Sequence, residues 1–206
     1  MTAYPWRGVL VTGASSGLGR ALAEACAAPG VTLHLSGRDA VRLQAVVAAC
    51  RARGAEVDAA VLDVTDAAAM AGQAPGPEGL RGRIAVIASI AAFVAAPGAP
   101  AYCASKAAVQ RWAEALDGTE RARGIRLHAV CPGYVRTPMT ARNAFPMPFL
   151  MDAEEAARRS LSGIARGRVR VVYPLPLYVV ARLVGALPVA WRNALFTRLP
   201  AKQALE

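Results

Sequence analysis

The sequence predicts an α/β fold: a doubly wound, mostly parallel sheet of about six strands in a three-layer αβα arrangement. Two observations predict it. Short apolar runs alternate with longer helical patterns along most of the 206 residues, and parallel neighbours need the crossovers that such helices provide. A 55% apolar composition at this length is enough for one domain with a full core, so residues 1–206 are expected as a single domain.

The elements follow in order. Strand-like runs lie at Gly8 to Thr12, Val31 to Ser36, Glu56 to Leu62, Ile84 to Ser89, Ile125 to Cys131 and Val169 to Tyr173. Helical patterns lie between them at about Leu18 to Ala28, Asp39 to Arg53, Ala101 to Arg121 and Asp152 to Ala165. The last opens with the capping-box spacing Asp152 to Glu155. The interval "AAAMAGQAPGPEGLRGR" breaks the rhythm with a short helical hint and then a Gly and Pro-rich loop. Residues 174–206 read as a C-terminal extension of two amphipathic helices broken at Pro188. With Arg182, Pro188 and Arg192 inside it, no uninterrupted run reaches the roughly 18 residues of a membrane span. Covering a sheet edge or a subunit contact is its leading role, and contact with a membrane surface is the second.

Composition narrows the function. The net charge is +10, but the basic residues are scattered; the tightest cluster, Arg166, Arg168 and Arg170, alternates along one strand face. Neither a basic stripe with interleaved aromatics nor a groove-entering motif is visible, so nucleic acid is not expected as a partner. Cys26, Cys50, Cys103 and Cys131 have no ligand-like spacing and read as buried free thiols of a reducing compartment. His34 and His128 sit in strand-like runs and read as core histidines, so no metal is expected. No charged flank with a long apolar stretch opens the chain, and a cytoplasmic location is expected.

Chemistry is carried by four segments. "VTGASSGLGRALAEA" places Gly13, Gly17 and Gly19 between the first strand and the first helix, where glycine permits a sharp turn and close approach of a pyrophosphate to helix N-terminal N–H groups. This stretch resembles the cofactor loop TGxxxGxG of the short-chain dehydrogenase/reductase family, a Rossmann-type fold. The resemblance implies cofactor contacts from Gly13, Ser15, Ser16, Gly17, Leu18 and Gly19. After the second strand comes "LSGRDAVRL", with Gly37 where an acidic residue would hold the ribose hydroxyls of NAD, and Arg38 next to it. A guanidinium there suits a 2′-phosphate, so NADP(H) is expected over NAD(H). Asp63 and Val64 in "LDVTD" resemble the residues beside the adenine.

Ser89, Tyr102 and Lys106 are similar to the family's catalytic set, with "AYCASKAA" matching YxxxK. Hydride arriving at a carbonyl carbon leaves an oxyanion that must be protonated, and a phenol with an ordinary pKa near 10 is a poor acid–base group at neutral pH. A lysine one helical turn away shares its face and favours phenolate. By resemblance Lys106 and Tyr102 would also contact the nicotinamide ribose, and Ser89 the substrate oxygen. Beyond them "CPGYVRTPM" resembles the PGxxxT turn, implying that Pro132, Gly133, Val135 and Thr137 line the nicotinamide side. The apolar "NAFPMPFLM" falls where the family keeps its substrate lid and hints at a lipophilic alcohol or carbonyl substrate.

The resemblance covers about residues 7–140 and has one gap. Between "LDVTD" and "GRIAVIAS" the family carries a fourth strand ending in an NNAG-like motif and a helix with a catalytic Asn; this chain is short by about one strand–helix unit, more than the ~30 residues of a small βαβ element. Asn143 and Asn193 both follow the active-site motifs and match neither position. Either the first strand pairs directly with the strand after the gap, or the sheet carries a defect filled by the loop. A homo-oligomer is possible, although the usual dimer helix is partly missing. The leading expectation is an NADP(H)-dependent oxidoreductase acting on an alcohol or carbonyl. The alternative is a shortened, non-catalytic or weakly active relative that binds a dinucleotide or a protein partner.

Overall fold

A computed structural model of the chain describes residues 4–71, 82–143 and 145–197. The elements run β1 (Gly8–Thr12), α1 (Gly17–Cys26), β2 (Thr32–Gly37), α2 (Ala40–Arg51), β3 (Glu56–Val61), α3 (Ala67–Ala71), β4 (Gly82–Ile87) and α4 (Pro100–Glu120). They continue with β5 (Ile125–Pro132), α5 (Ala153–Ala165), β6 (Arg170–Tyr173), α6 (Leu175–Ala186) and α7 (Val189–Thr197). All six anticipated strands are present, every pairing is parallel, and the fold is α/β of Rossmann type.

The chain divides into two compact units. The first comprises Met1–Gly79, Val135–Asn143 and Met151–Ala165; the second comprises Leu80–Tyr134, Ala144–Leu150 and Arg166–Glu206. Among the described residues the strands form two three-stranded sheets, one in each unit, in the orders β1-β2-β3 and β4-β5-β6. The loop reading for residues 72–81 lies outside the described residues.

In the first unit, α2 shows why a segment becomes a core helix. Asp39 caps it, accepting from the Arg42 N–H at 2.9 Å, and Leu43, Val46, Val47 and Cys50 recur at helical spacing on the buried face. They meet Leu33 and Leu35 of β2 and Leu161 of α5 in one apolar cluster. Each such buried leucine stabilises the unit by about 1.5–3 kcal/mol. At α5, Asp152 Oδ1 accepts from Arg136 Nε at 2.9 Å and Glu155 pairs with Arg158 and Arg159, so both capping-box carboxylates hold guanidinium groups.

The second unit is locked by α4 against β5. Pro100 opens α4, where its fixed φ suits the first turn, and Cys103, Gln110, Ala113 and Asp117 lie on the buried side. Buried Asp117 accepts from Leu127 N at 3.0 Å, Arg126 Nε at 2.9 Å and Arg121 Nη2 at 2.8 Å. Burial alone would raise its pKa, but these donors hold the carboxyl well below the usual carboxylate range.

Two readings are corrected. His128 is fully buried as expected, with Nδ1 2.6 Å from the Arg168 carbonyl, but His34 is half-exposed beside Asp58 at 3.4 Å. Alternation along β2 places it on the face opposite Leu33 and Leu35. The arginine cluster is not a strand face either, because β6 begins only at Arg170; that residue pairs with Glu114 through Nε at 2.5 Å and Nη2 at 2.7 Å.

Candidate active site

In the first unit the glycine turn joins β1 to α1. Gly13 and Gly17 have φ of 68° and 54°, values that a side chain disfavours. At Gly19 the reason for glycine is space: a Cβ there would lie 2.2 Å from the Gly13 carbonyl oxygen. Ser16 is the N-cap residue in extended conformation, its side chain makes no capping hydrogen bond, and no acidic residue lies in the first turn of α1. No side-chain cap competes for the N–H groups of that turn, and their partial positive charge favours an anion. A cradle of this kind fits the pyrophosphate of a dinucleotide.

Around the turn stand the other first-unit residues expected at the site. The backbone N–H of Ala14 donates to the Ser36 carbonyl at 2.9 Å, tying the turn to β2. A Cβ on Gly37 would come within 3.0 Å of Ser15, so the end of β2 is packed against the turn and glycine suits it. Arg38 is well exposed, its Nη1 3.7 Å from Asp63 Oδ2. The other Asp63 oxygen accepts from Thr65 N–H and Oγ1–H, both at 2.9 Å, and these bonds, with Arg38 beyond them, lower its pKa. Val64 is exposed. Thr137 stands over the turn, its Cγ2 3.1 Å from where a Cβ on Gly17 would be, and it exchanges hydrogen bonds with Thr140. Buried Val135 bridges to Met151.

The second unit holds Ser89, Tyr102 and Lys106. Ser89 follows β4, is buried, and caps a one-turn helix over Ile90–Phe93; its Oγ accepts from Ala91 N–H at 3.1 Å and donates to the Pro132 carbonyl at 3.4 Å. Tyr102 lies in the first turn of α4 and is 45% exposed. Lys106 Nζ is 5.7 Å from the Tyr102 ring centroid and donates to the Ile87 carbonyl at 2.9 Å. Burial of the ammonium lowers its pKa.

That Ile87 contact is a backbone feature that residue types do not announce. Because Ala88 N–H points at β5, donating to Val130 O at 2.7 Å, alternation turns the Ile87 carbonyl to the side of β4 away from β5. Lys106 thus satisfies a carbonyl two residues before Ser89 and is fixed next to Tyr102. Tyr134 is a further neighbour that motif reading passed over: burial first, and Tyr102 second, hold its phenol above the ordinary value. Gly133 N–H donates to Tyr173 O at 2.7 Å, and a Cβ at 133 would meet Leu177 and Pro174 at 2.9 Å, so the Pro132–Gly133 turn is seated on the start of α6.

Comparison with known proteins settles the family. The short chain dehydrogenase family model matches residues 7–75 and 74–145. The chain belongs to the short-chain dehydrogenase family. The match comes in two pieces that meet in the segment where the sequence is short of a strand and a helix. A relative described as an uncharacterized oxidoreductase of Myxococcus xanthus is 32% identical, with 91% of this chain and 95% of the relative covered. That alignment runs over 241 positions, more than this chain has residues, so the relative carries a stretch that is missing here. Among solved structures, a short-chain dehydrogenase from Sphingobium yanoikuyae in complex with NADPH has a TM-score of 0.72 at 27% identity, covering 97% of this chain and 98% of that one. A short chain dehydrogenase/reductase from Burkholderia phymatum in complex with NAD shares the fold, with a TM-score of 0.75 at 21% identity and full coverage of both chains.

Proposed function

We propose that the chain is an NADP(H)-dependent oxidoreductase that interconverts a lipophilic carbonyl compound and its alcohol. The observation that carries the reading is the fixed pair Tyr102 and Lys106, with Nζ 5.7 Å from the ring and anchored on Ile87 O two residues from Ser89. When bound, the dinucleotide supplies or accepts the hydride. Tyr102 gives its hydroxyl proton to the carbonyl oxygen in reduction and takes a proton from the alcohol in oxidation. Lys106 holds positive charge beside that phenol in either direction and is free to exchange the Ile87 carbonyl for a ribose hydroxyl. Ser89 turns its Oγ–H from the long 3.4 Å contact with Pro132 O to the substrate oxygen.

The glycine turn and the first turn of α1 receive the pyrophosphate, and exposed Arg38 receives the 2′-phosphate. Arg38 is only loosely engaged by Asp63 at 3.7 Å, which supports NADP(H) over NAD(H). Support for the enzyme over a non-catalytic relative comes from the intact Ser89, Tyr102 and Lys106 set. The test is fluorescence titration with NADPH and NADH, followed by a carbonyl panel with the parent and Tyr102→Phe. Failure to bind NADPH excludes the cofactor assignment; a Tyr102→Phe protein as active as the parent excludes the mechanism.

The C-terminal helices support a membrane-surface role beside this activity. No helix among the described residues is long and apolar enough to cross a membrane. Leu175, Val179 and Leu183 of α6 and Val189 and Trp191 of α7 are nonetheless exposed, and residues 175–197 contain Arg182 and Arg192 but no Asp or Glu. Exposed apolar side chains flanked by cations suit an anionic lipid surface. Sedimentation with anionic but not zwitterionic vesicles is expected, and loss of this binding in Leu183→Glu; equal sedimentation of parent and variant excludes it.

A further inference from the structure

A ketone oxygen has two lone pairs, and the proposed reaction fills both, with Ser89 and Tyr102 as donors. The second unit places a third hydroxyl-bearing residue beside them. Tyr134 follows Pro132 and Gly133 in the turn after β5, and that turn lies against the segment that begins with Ser89. Ser89 Oγ reaches Pro132 O at 3.4 Å, and a Cβ on Gly133 would stand 3.6 Å from Ile90 Cδ1. Gly133 N–H donates to Tyr173 O at 2.7 Å, so the turn is held from its other side as well.

Tyr134 is half-buried, and its ring meets that of Phe145 edge-on, with centroids 6.0 Å apart and planes at 63°. The ring is thereby held through its apolar part. Its hydroxyl makes no hydrogen bond among the described residues. Burial first, and the Tyr102 phenol second, keep Tyr134 protonated at neutral pH, so it is a donor there. The two phenols are thus neighbours that are not bonded to each other. For a simple ketone this third donor is in excess, and a half-buried donor without a partner costs free energy. A second acceptor oxygen on the substrate removes that cost. Because the donors are grouped, both substrate oxygens have to face the same side; oxygens on alternate carbons can do so, whereas a vicinal pair points its dipoles apart.

We propose that Tyr134 donates its hydroxyl to a second substrate oxygen, so that the preferred substrates are carbonyl compounds with an ester or carbonyl group one carbon beyond the reacting one. The assignment rests on the oxidoreductase reading and deepens it. A site that hydrogen-bonds a substrate group discriminates against an analogue without it, since its own polar group is then left unpaired.

The test is NADPH consumption with ethyl 3-oxohexanoate and with nonan-4-one, a ketone of the same chain length without the ester oxygens, by the parent and by Tyr134→Phe. Phenylalanine keeps the ring against Phe145 and removes only the hydroxyl. The variant is expected to lower the ratio of kcat/KM for the keto ester to that for the ketone by at least about tenfold; comparing ratios cancels the different intrinsic reactivity of the two compounds. A variant that slows both substrates alike, as a merely structural role would, or slows neither, overturns the assignment. Should Tyr134→Phe not fold by circular dichroism, KM values of the parent decide: the keto ester is expected at least about fivefold below the more apolar ketone, and equal values overturn the assignment. A parent that consumes NADPH with neither compound overturns the oxidoreductase reading and this assignment with it, whereas an active parent whose ratio survives Tyr134→Phe overturns the Tyr134 assignment alone.

Discussion

Replacing Gly19 with alanine tests the glycine turn where the structure is least forgiving. The added Cβ falls 2.2 Å from the Gly13 carbonyl oxygen and 2.8 Å from its carbon, and both are backbone atoms. Ordinary contacts are about 3.5–4.0 Å, so the turn or α1 has to move by roughly 1 Å or more. Gly13 is already in the left-handed region at φ 68° and cannot absorb this by a rotamer change. Overpacking of this kind costs about 1–3 kcal/mol, and a 2 kcal/mol loss lowers the melting temperature of a chain this size by roughly 4–8 °C. Because the displaced atoms form the pyrophosphate cradle, NADPH affinity is expected to fall at least about tenfold, or 1.4 kcal/mol. Gly118→Ala is the matching control: it sits inside α4 with nothing within 4 Å of the new Cβ, and is expected to stabilise the protein by about 0.5–1 kcal/mol. Thermal melts by circular dichroism and NADPH fluorescence titration read both. A Gly19→Ala protein that melts and binds like the parent refutes the close-packed turn and its role.

Other outcomes follow from the same geometry. Asp117→Asn weakens two charge-assisted bonds between α4 and β5, and is expected to cost about 2–4 kcal/mol, read as a lower urea midpoint at pH 7. Since the folded pKa of Asp117 is depressed, its contribution is present above the unfolded value near 3.9 and is lost as pH falls below it; the gap between parent and variant should therefore narrow on going to pH 3. Leu33→Ala removes a fully buried side chain of β2 and should cost about 2–5 kcal/mol, measured by the same denaturation. Arg38→Ala is expected to weaken NADPH about tenfold or more while leaving NADH unchanged, and an equal effect on both cofactors would argue against 2′-phosphate recognition.

Much of this fold could be read from periodicity. β1 has the boundaries that its apolar run suggests, and α2, α4 and α5 start or stop within two residues of theirs, because Asp39 and Pro100 mark helix starts by local chemistry. β6 is shorter than its apolar run: the register with β5 covers Arg170 to Tyr173, and Val169 contributes only its carbonyl, which accepts from Ala129 N–H at 2.7 Å. What the sequence could not convey is long-range. Nothing in the residue types near His34 shows that its own position on β2 is exposed while Ser36 on the same face is buried, and alternation alone does not say which face meets a helix. The grouping of the strands into two three-stranded sheets is a tertiary choice that the residue types around the missing segment do not convey. At the site, residue identities were legible through the motifs, whereas the Lys106 bond to Ile87 O and the Ser89 bonds to Pro132 and Ala91 use backbone atoms common to every residue.

The central claim is that Tyr102 and Lys106 perform proton transfer for a nicotinamide hydride, despite the shortened segment upstream. Its most direct test is consumption of NADPH by parent and Tyr102→Phe enzymes with a lipophilic ketone at saturating cofactor, together with NADPH titration of both. The account predicts that both proteins bind NADPH, the variant no more than a few-fold more weakly, and that the variant turns over at least about a hundredfold more slowly. Equal turnover by parent and variant, or a parent that does not bind NADPH, would contradict it.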